Sequence, residues 1–138
     1  MSLRSKSVQE RQTKQKQVIY EALKTLNHPT ATEVYGWVHE LAPTVSRATV
    51  FRVLGGFVSG GQALELRFAG NEVRYDYNVS AHCHARCLHC GKVADVEPKN
   101  FSVSGNIETT ACDDFCVEGY TLEFFGKCKD CQENVLQV

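Results

Sequence analysis

Over the first half of the chain, apolar side chains return every three or four positions, the period of a helix buried along one face. Val18, Ile19, Ala22, Leu23 and Leu26 make that pattern in a segment running from Val8 to Leu26. Asn27-His28-Pro29 closes it, because the residue before a proline avoids helical backbone angles. Thr30 or Thr32 can cap a second helix, whose predicted apolar face is Val34, Trp37, Val38 and Leu41, with Pro43 beyond its end. Ser46 caps a third, RATVFRVLGGFV, with a predicted buried face of Ala48, Val50 (in part), Val53, Leu54 and Phe57. Gly60-Gly61 stops it. The period then changes to two: ALELRF and VRYDY alternate about the turn AGNE, which reads as a hairpin. Three helices followed by a hairpin is the order of a winged helix-turn-helix.

From about Ser80 the texture changes. Short strand-like runs, KVADV and TLEFF, flank a polar segment from Ser104 to Asp114 that could be helical. The expected fold class is therefore α+β, a winged helix over residues 1–79 and a small α/β domain over 80–138. At 138 residues in all, neither part can bury a large core alone, and small domains of this size tend to need a metal or a partner subunit.

Composition narrows the function. With 43% hydrophobic and 22% charged residues, and no apolar run near the ~20 residues that span a bilayer, a membrane role is not expected. The polar opening MSLRSKSVQERQTKQKQ lacks a secretory pattern, so the expected location is the cytoplasm, where disulfides are rare. The net charge of -1 hides an asymmetry. Residues 1–75 hold 10 Lys+Arg against 6 Asp+Glu, whereas residues 76–138 hold 5 against 10, so only the front half suits a polyanion.

The cysteines number seven: Cys83, Cys87, Cys90, Cys112, Cys116, Cys128 and Cys131. The odd count and two CxxC pairs, Cys87/Cys90 and Cys128/Cys131, favour metal over disulfides. Each pair can present two thiolates on one turn, and two such turns complete a tetrahedral zinc site. The competing reading, a thioredoxin-like redox pair, belongs beside a βαβ pattern that this sequence lacks. Cys112 and Cys116, at i and i+4, could be small core residues or a labile redox pair.

The run HCHARCLHCGKVAD, His82 to Asp95, adds a second set of donors. His82 and His84 alternate on an extended segment and so share a face, with Cys83 opposite. With Asp76 and Asp95 they could form a nitrogen and oxygen site suited to iron, manganese or zinc. Ordinary surface histidines are the competing reading. By spacing alone, His28 is a loop residue, His39 lies on a helix surface, and His89 sits inside the CxxC turn.

A winged helix containing SRATVFRVL, then HCH, CLHCG and GKCKDC, resembles the ferric uptake regulator family of metal-dependent bacterial repressors, from about Arg11 to Cys131. The resemblance implies a homodimer whose winged helices bind palindromic, A·T-rich operator DNA and whose C-terminal part dimerises. It implies structural zinc at Cys87, Cys90, Cys128 and Cys131. It also implies a regulatory Fe(II) or Mn(II) site between the domains. In the family's peroxide-sensing branch the matching ligands are His28, Asp76, His82, His84 and Asp95, with His28 and His82 the positions open to oxidation. Aspartate at 95, where iron-sensing relatives commonly carry glutamate, favours that branch. So does the lack of histidine in CVEGYTLEFFG.

For DNA, the resemblance places the third helix in the major groove. Ser46 starts it, Arg47 and Arg52 can reach phosphate or guanine, and Thr49 can reach phosphate. Phe51 stands where the family usually has tyrosine and can touch a thymine methyl. QTKQKQ departs from the family's Thr-Pro-Gln-Arg, which bears on operator preference. The chain thus reads as a peroxide-responsive repressor and not as an enzyme. An iron- or zinc-uptake regulator is the alternative within the family. A zinc-containing thiol oxidoreductase using Cys83, Cys112 or Cys116 is the alternative outside it, and it predicts thiol turnover without salt-sensitive DNA binding.

Overall fold

The helical period in the first half becomes three helices in a computed structural model that describes residues 3–68, 72–97, 114–116 and 122–135. Helix α1 spans Leu3–Thr25 and so begins earlier than the apolar pattern does. Its buried side is Ile19, Ala22 and Leu23, near its C-terminal end. Helix α2, Ala31–Leu41, is capped by Thr30, whose hydroxyl accepts from the Glu33 backbone N–H at 3.2 Å. Thr32 lies within the helix. Helix α3, Arg47–Ser59, starts in the same way, with Ser46 Oγ accepting from Thr49 N–H at 3.1 Å. Gly61, beyond its end, takes a φ of +74°, open to glycine without steric cost.

Val34 and Val38 of α2 meet Val50, Val53, Leu54 and Phe57 of α3 over the buried end of α1. Tyr20 packs edge-on against Phe57, ring centroids 5.5 Å apart. Three expected core positions differ. Ala48 is exposed, and Val50 is fully buried instead of partly so. Leu41 is 62% exposed at the last residue of α2, where the chain turns toward α3.

Strands β1 (Leu64–Leu66) and β2 (Arg74–Asp76) pair antiparallel, Leu64 opposite Asp76 and Leu66 opposite Arg74, and make the wing. The wing is tied back to the loop before α2 by an antiparallel bridge between Thr30 and Arg74 and by Tyr75 N–H donating to Pro29 C=O at 2.9 Å. These elements form one compact unit, Met1–Ser80.

The second unit, Ala81–Val138, holds a three-stranded sheet in the order β4-β3-β5. Strand β3 (Cys83–Cys87) is central, antiparallel to β4 (Val93–Val96) and parallel to β5 (Glu123–Gly126). A short helix, α4 (Lys129–Val135), follows. The segment expected to be helical, Ser104 to Asp114, falls outside the described residues except for Asp114, which lies in a turn. The fold class is α+β, helices first and sheet after. No helix among the described residues is long and apolar enough to cross a membrane.

Leu54 has no exposed surface. Its replacement by alanine should destabilise the first unit by about 3 kcal/mol, the usual cost of a large-to-small change in a closed core. A loss under about 1 kcal/mol in denaturant titration would contradict the packing described above.

Candidate metal centres

The second unit builds a sulfur cluster on two turns. After β3, Cys87 C=O accepts from Gly91 N–H at 3.0 Å, and Cys87 N–H donates to Lys92 C=O at 2.8 Å. Gly91 has a φ of +78°, the left-handed conformation this tight turn requires. The turn is docked on the end of β5 by Leu88 N–H donating to Gly126 C=O at 2.8 Å. Cys128 immediately precedes α4 and Cys131 lies on its first turn, and Cys128 N–H donates to Cys87 Sγ at 3.3 Å.

The Sγ atoms of Cys87, Cys90, Cys128 and Cys131 lie within 4.8 Å of one another, with Cys90 and Cys128 at 3.7 Å. Two thiolates about 2.3 Å from a tetrahedral zinc stand about 3.8 Å apart, so this spacing fits zinc with little movement. The thiols are also electrostatically uneven. The Cys87 thiol is pulled down to about 5, first by the Cys128 backbone N–H and then by that of Cys90. The Cys131 thiol is pushed up to about 12, first by its hydrogen bond with the Cys128 side chain. Crowded sulfurs let one ionise easily and make another resist, and a divalent cation relieves that conflict.

Two sets of nitrogen and oxygen donors stand apart from the sulfurs. In the first unit, His28 and Asp76 are 6% and 5% exposed, and His28 Nε2 lies 3.3 Å from Asp76 Oδ2. His28 Nδ1 is 2.7 Å from Asn27 Oδ1. The tautomer that donates from Nδ1 to Asn27 leaves the Nε2 lone pair facing Asp76, the orientation of a metal-ligating histidine. Asp76 Oδ1 accepts from Asn78 N–H at 2.9 Å, so its other oxygen, Oδ2, is the one presented to His28. His28 has a φ of +48°, a left-handed backbone that costs a non-glycine residue about 1 kcal/mol or more.

In the second unit, His84 on β3 stands opposite Asp95 on β4. Asp95 Oδ1 is 3.1 Å from His82 Nε2 and 3.4 Å from His84 Nε2, and the two rings are 4.3 Å apart. Neighbouring donors about 2.1 Å from a six-coordinate ion stand about 3.0 Å apart, so both sets have ligand spacing. Both sets also satisfy the weaker definition of a His–Asp ion pair. Cys83 is half-buried and Cys116 exposed, while Cys112 lies outside the described residues. His39 and His89 are exposed and belong to neither set.

On α3, Arg47 and Arg52 are exposed, Thr49 is half-buried, and Phe51 is 46% exposed. The Ser46 hydroxyl is engaged in the cap and lies 2.9 Å from Thr49 Oγ1. Arg47 lies over the ring of Tyr35, 5.4 Å from its centroid. Sequence patterning gave no hint of this cation–π contact, which joins two helices.

A winged helix ahead of a cysteine clamp of zinc geometry defines a winged-helix regulator with metal centres. A model of the ferric uptake regulator family matches residues 7–125, and the chain belongs to that family. The peroxide-responsive repressor PerR of Staphylococcus aureus is 35% identical over 135 residues, 96% of this chain and 88% of that protein. The crystal structure of the Campylobacter jejuni peroxide stress regulator is 28% identical with a TM-score of 0.62, over 70% of this chain and 73% of that one. The ferric uptake regulator of Helicobacter pylori, 19% identical, shares the fold with a TM-score of 0.63 over 94% of this chain and 90% of that one.

A strong chelator added to the reduced chain should abolish the cooperative unfolding of the second unit and leave that of the first, as followed by amide exchange. Zinc loading at pH 7 should release fewer than four protons per ion, because Cys87, at about 5, is already a thiolate. Calorimetry in buffers of different ionisation enthalpy counts them, and a release of four would contradict the Cys87 assignment.

Proposed function

We propose that this chain is a metal-dependent DNA-binding repressor that responds to peroxide, working in the cytoplasm as a homodimer on palindromic, A·T-rich operator DNA. The observation that carries the reading is the His–Asp couple at metal-ligand spacing in each unit: His28 with Asp76, and His82 and His84 with Asp95. We read these five residues as one regulatory site for Fe(II) or Mn(II), and the four cysteines as a structural zinc site. Imidazole and carboxylate suit iron and manganese, whereas four thiolates suit zinc. An ion that draws ligands from both units ties its own occupancy to whichever arrangement of them fits the operator.

Residues 1–79 serve as the DNA-binding domain and residues 80–138 as the metal-binding, dimerising one. Arg47 and Arg52 supply phosphate or guanine contacts, Thr49 a phosphate contact, and Phe51 an apolar contact to a thymine methyl; Ser46 fixes the start of the helix that presents them. Bound Fe(II) would supply the electrons that split peroxide, which Mn(II) withholds. His28 and His82, each beside a carboxylate, are the side chains positioned to take the oxygen. An oxidised imidazole loses the nitrogen lone pair it offers as a ligand, so its hold on the ion ends and the operator is released. The relatives named for peroxide response, at 35% and 28% identity, support this reading.

With Mn(II), the protein should bind a palindromic duplex as a dimer, and affinity should drop about a thousandfold between roughly 50 and 200 mM salt. Absent or salt-independent binding across A·T-rich palindromes would remove the repressor reading. With Fe(II) and micromolar peroxide, peptide masses should gain one oxygen at His28 or His82 as DNA is released. Unchanged histidines with DNA still bound would instead favour an iron- or zinc-uptake regulator.

A further inference from the structure

The His28 ligand sits in a backbone conformation that histidine does not adopt by preference, and one side chain ties that peptide down. Arg74 Nη1 donates to the His28 carbonyl at 2.9 Å. The same Nη1 lies 3.9 Å from Glu33 Oε1 on α2. The backbone of Arg74 bridges to Thr30, and the next residue, Tyr75, donates its N–H to Pro29 C=O at 2.9 Å. The loop Asn27–Thr30 is thus sewn to β2 at three consecutive residues, 28 to 30. Asp76 lies two residues along the strand from Arg74, on the same face. One short strand therefore supplies a carboxylate ligand and also holds in place the loop bearing its histidine partner.

We propose that Arg74 is a positioning residue for metal binding. It locks the His28 peptide in its left-handed turn, so that the imidazole already faces Asp76 when the ion arrives. This rests on the reading of His28 as a ligand of the regulatory site. Three features support it. The arginine is mostly buried, with 20% of its side chain exposed, so the contact is not a loose surface pair. Its target is the carbonyl of the strained residue itself and not a neighbour. Its charge faces the His28 carbonyl at 2.9 Å and, at 3.9 Å, the half-exposed Glu33 carboxylate of the same unit. A guanidinium offers several N–H donors in a rigid plane, and a lysine ammonium cannot reproduce that geometry at both acceptors.

The proposal makes Arg74 act through His28, which a general structural role would not do. In the full chain with its cysteine site loaded with zinc, Mn(II) affinity should be measured by electron paramagnetic resonance for four proteins: wild type, His28→Ala, Arg74→Met and the double variant. Arg74→Met should weaken Mn(II) binding about tenfold, in the range typical of residues that orient a ligand. His28→Ala should weaken it at least as much, and the double variant should match His28→Ala alone. In the metal-free protein, the Tyr75 amide should exchange faster in Arg74→Met. Arg74→Lys, which keeps charge and stem, should recover part of the affinity and serves as the readable variant should Arg74→Met fail to fold.

Wild-type affinity in both Arg74 variants, or losses that multiply in the double variant, would overturn the proposal. Wild-type affinity in His28→Ala would instead overturn the five-ligand reading on which it rests, so the two failures are told apart by the single variants.

Discussion

Four sulfur atoms within 4.8 Å of one another are the tightest constraint on the described part of the second unit. Among the described residues, its buried apolar side chains are Cys87 and Val93, whereas the first unit buries a continuous set from Ile19 to Tyr75. Two buried side chains on a three-stranded sheet offset little of the entropy of ordering these strands. The cysteines fall where closure is needed. One pair sits at the end of the central strand β3, and the other follows β5 at the start of α4. A metal joining them staples both sheet partners of β3 at once, and its binding energy becomes folding energy.

The same central strand carries His84 at its second residue and Cys87 at its last. In a strand paired on both sides, register is fixed by two neighbours, so the position of His84 opposite Asp95 follows from the pairing that the clamp secures. The rigidity of the sulfur site is thereby lent to the nitrogen and oxygen donors. The first unit reaches the same end differently. Its core fixes α2 and the wing, and hydrogen bonds from Arg74 and Tyr75 fix the His28–Pro29 loop between them.

Much of this was legible in the sequence, because periodicity reports which face of an element is buried. The three helices, the hairpin and the strand bearing HCH follow from periods of 3.6 and 2, and the paired CxxC turns follow from ligand spacing. Periodicity fails where an apolar residue does not serve the core. Ala48 and Leu41 fit the helical pattern and are exposed, and Phe51 is apolar on a surface helix position. From composition alone, such residues look like core. The conformation of His28 was hidden for another reason. A left-handed histidine is chosen by tertiary ties to residues 74 and 75, far away in sequence, and nothing local to NHPT encodes it. The Arg74 tie was hidden too, since VRYDY shows that Arg74 and Asp76 share a face but not what either one touches.

The two classes of donor also differ in what already surrounds them. A lone buried carboxylate such as Asp76 would be costly, but its Oδ1 accepts from Asn78 N–H. His82, His84 and Asp95 likewise satisfy one another. Among the sulfurs, the backbone N–H groups of Cys128 and Cys90 pull Cys87 down to about 5, whereas hydrogen bonding to the Cys128 side chain pushes Cys131 up to about 12, so one thiol ionises easily and another resists. Four thiolates suit zinc, whereas imidazole with carboxylate suits iron or manganese, so the two donor sets differ in the ions they fit.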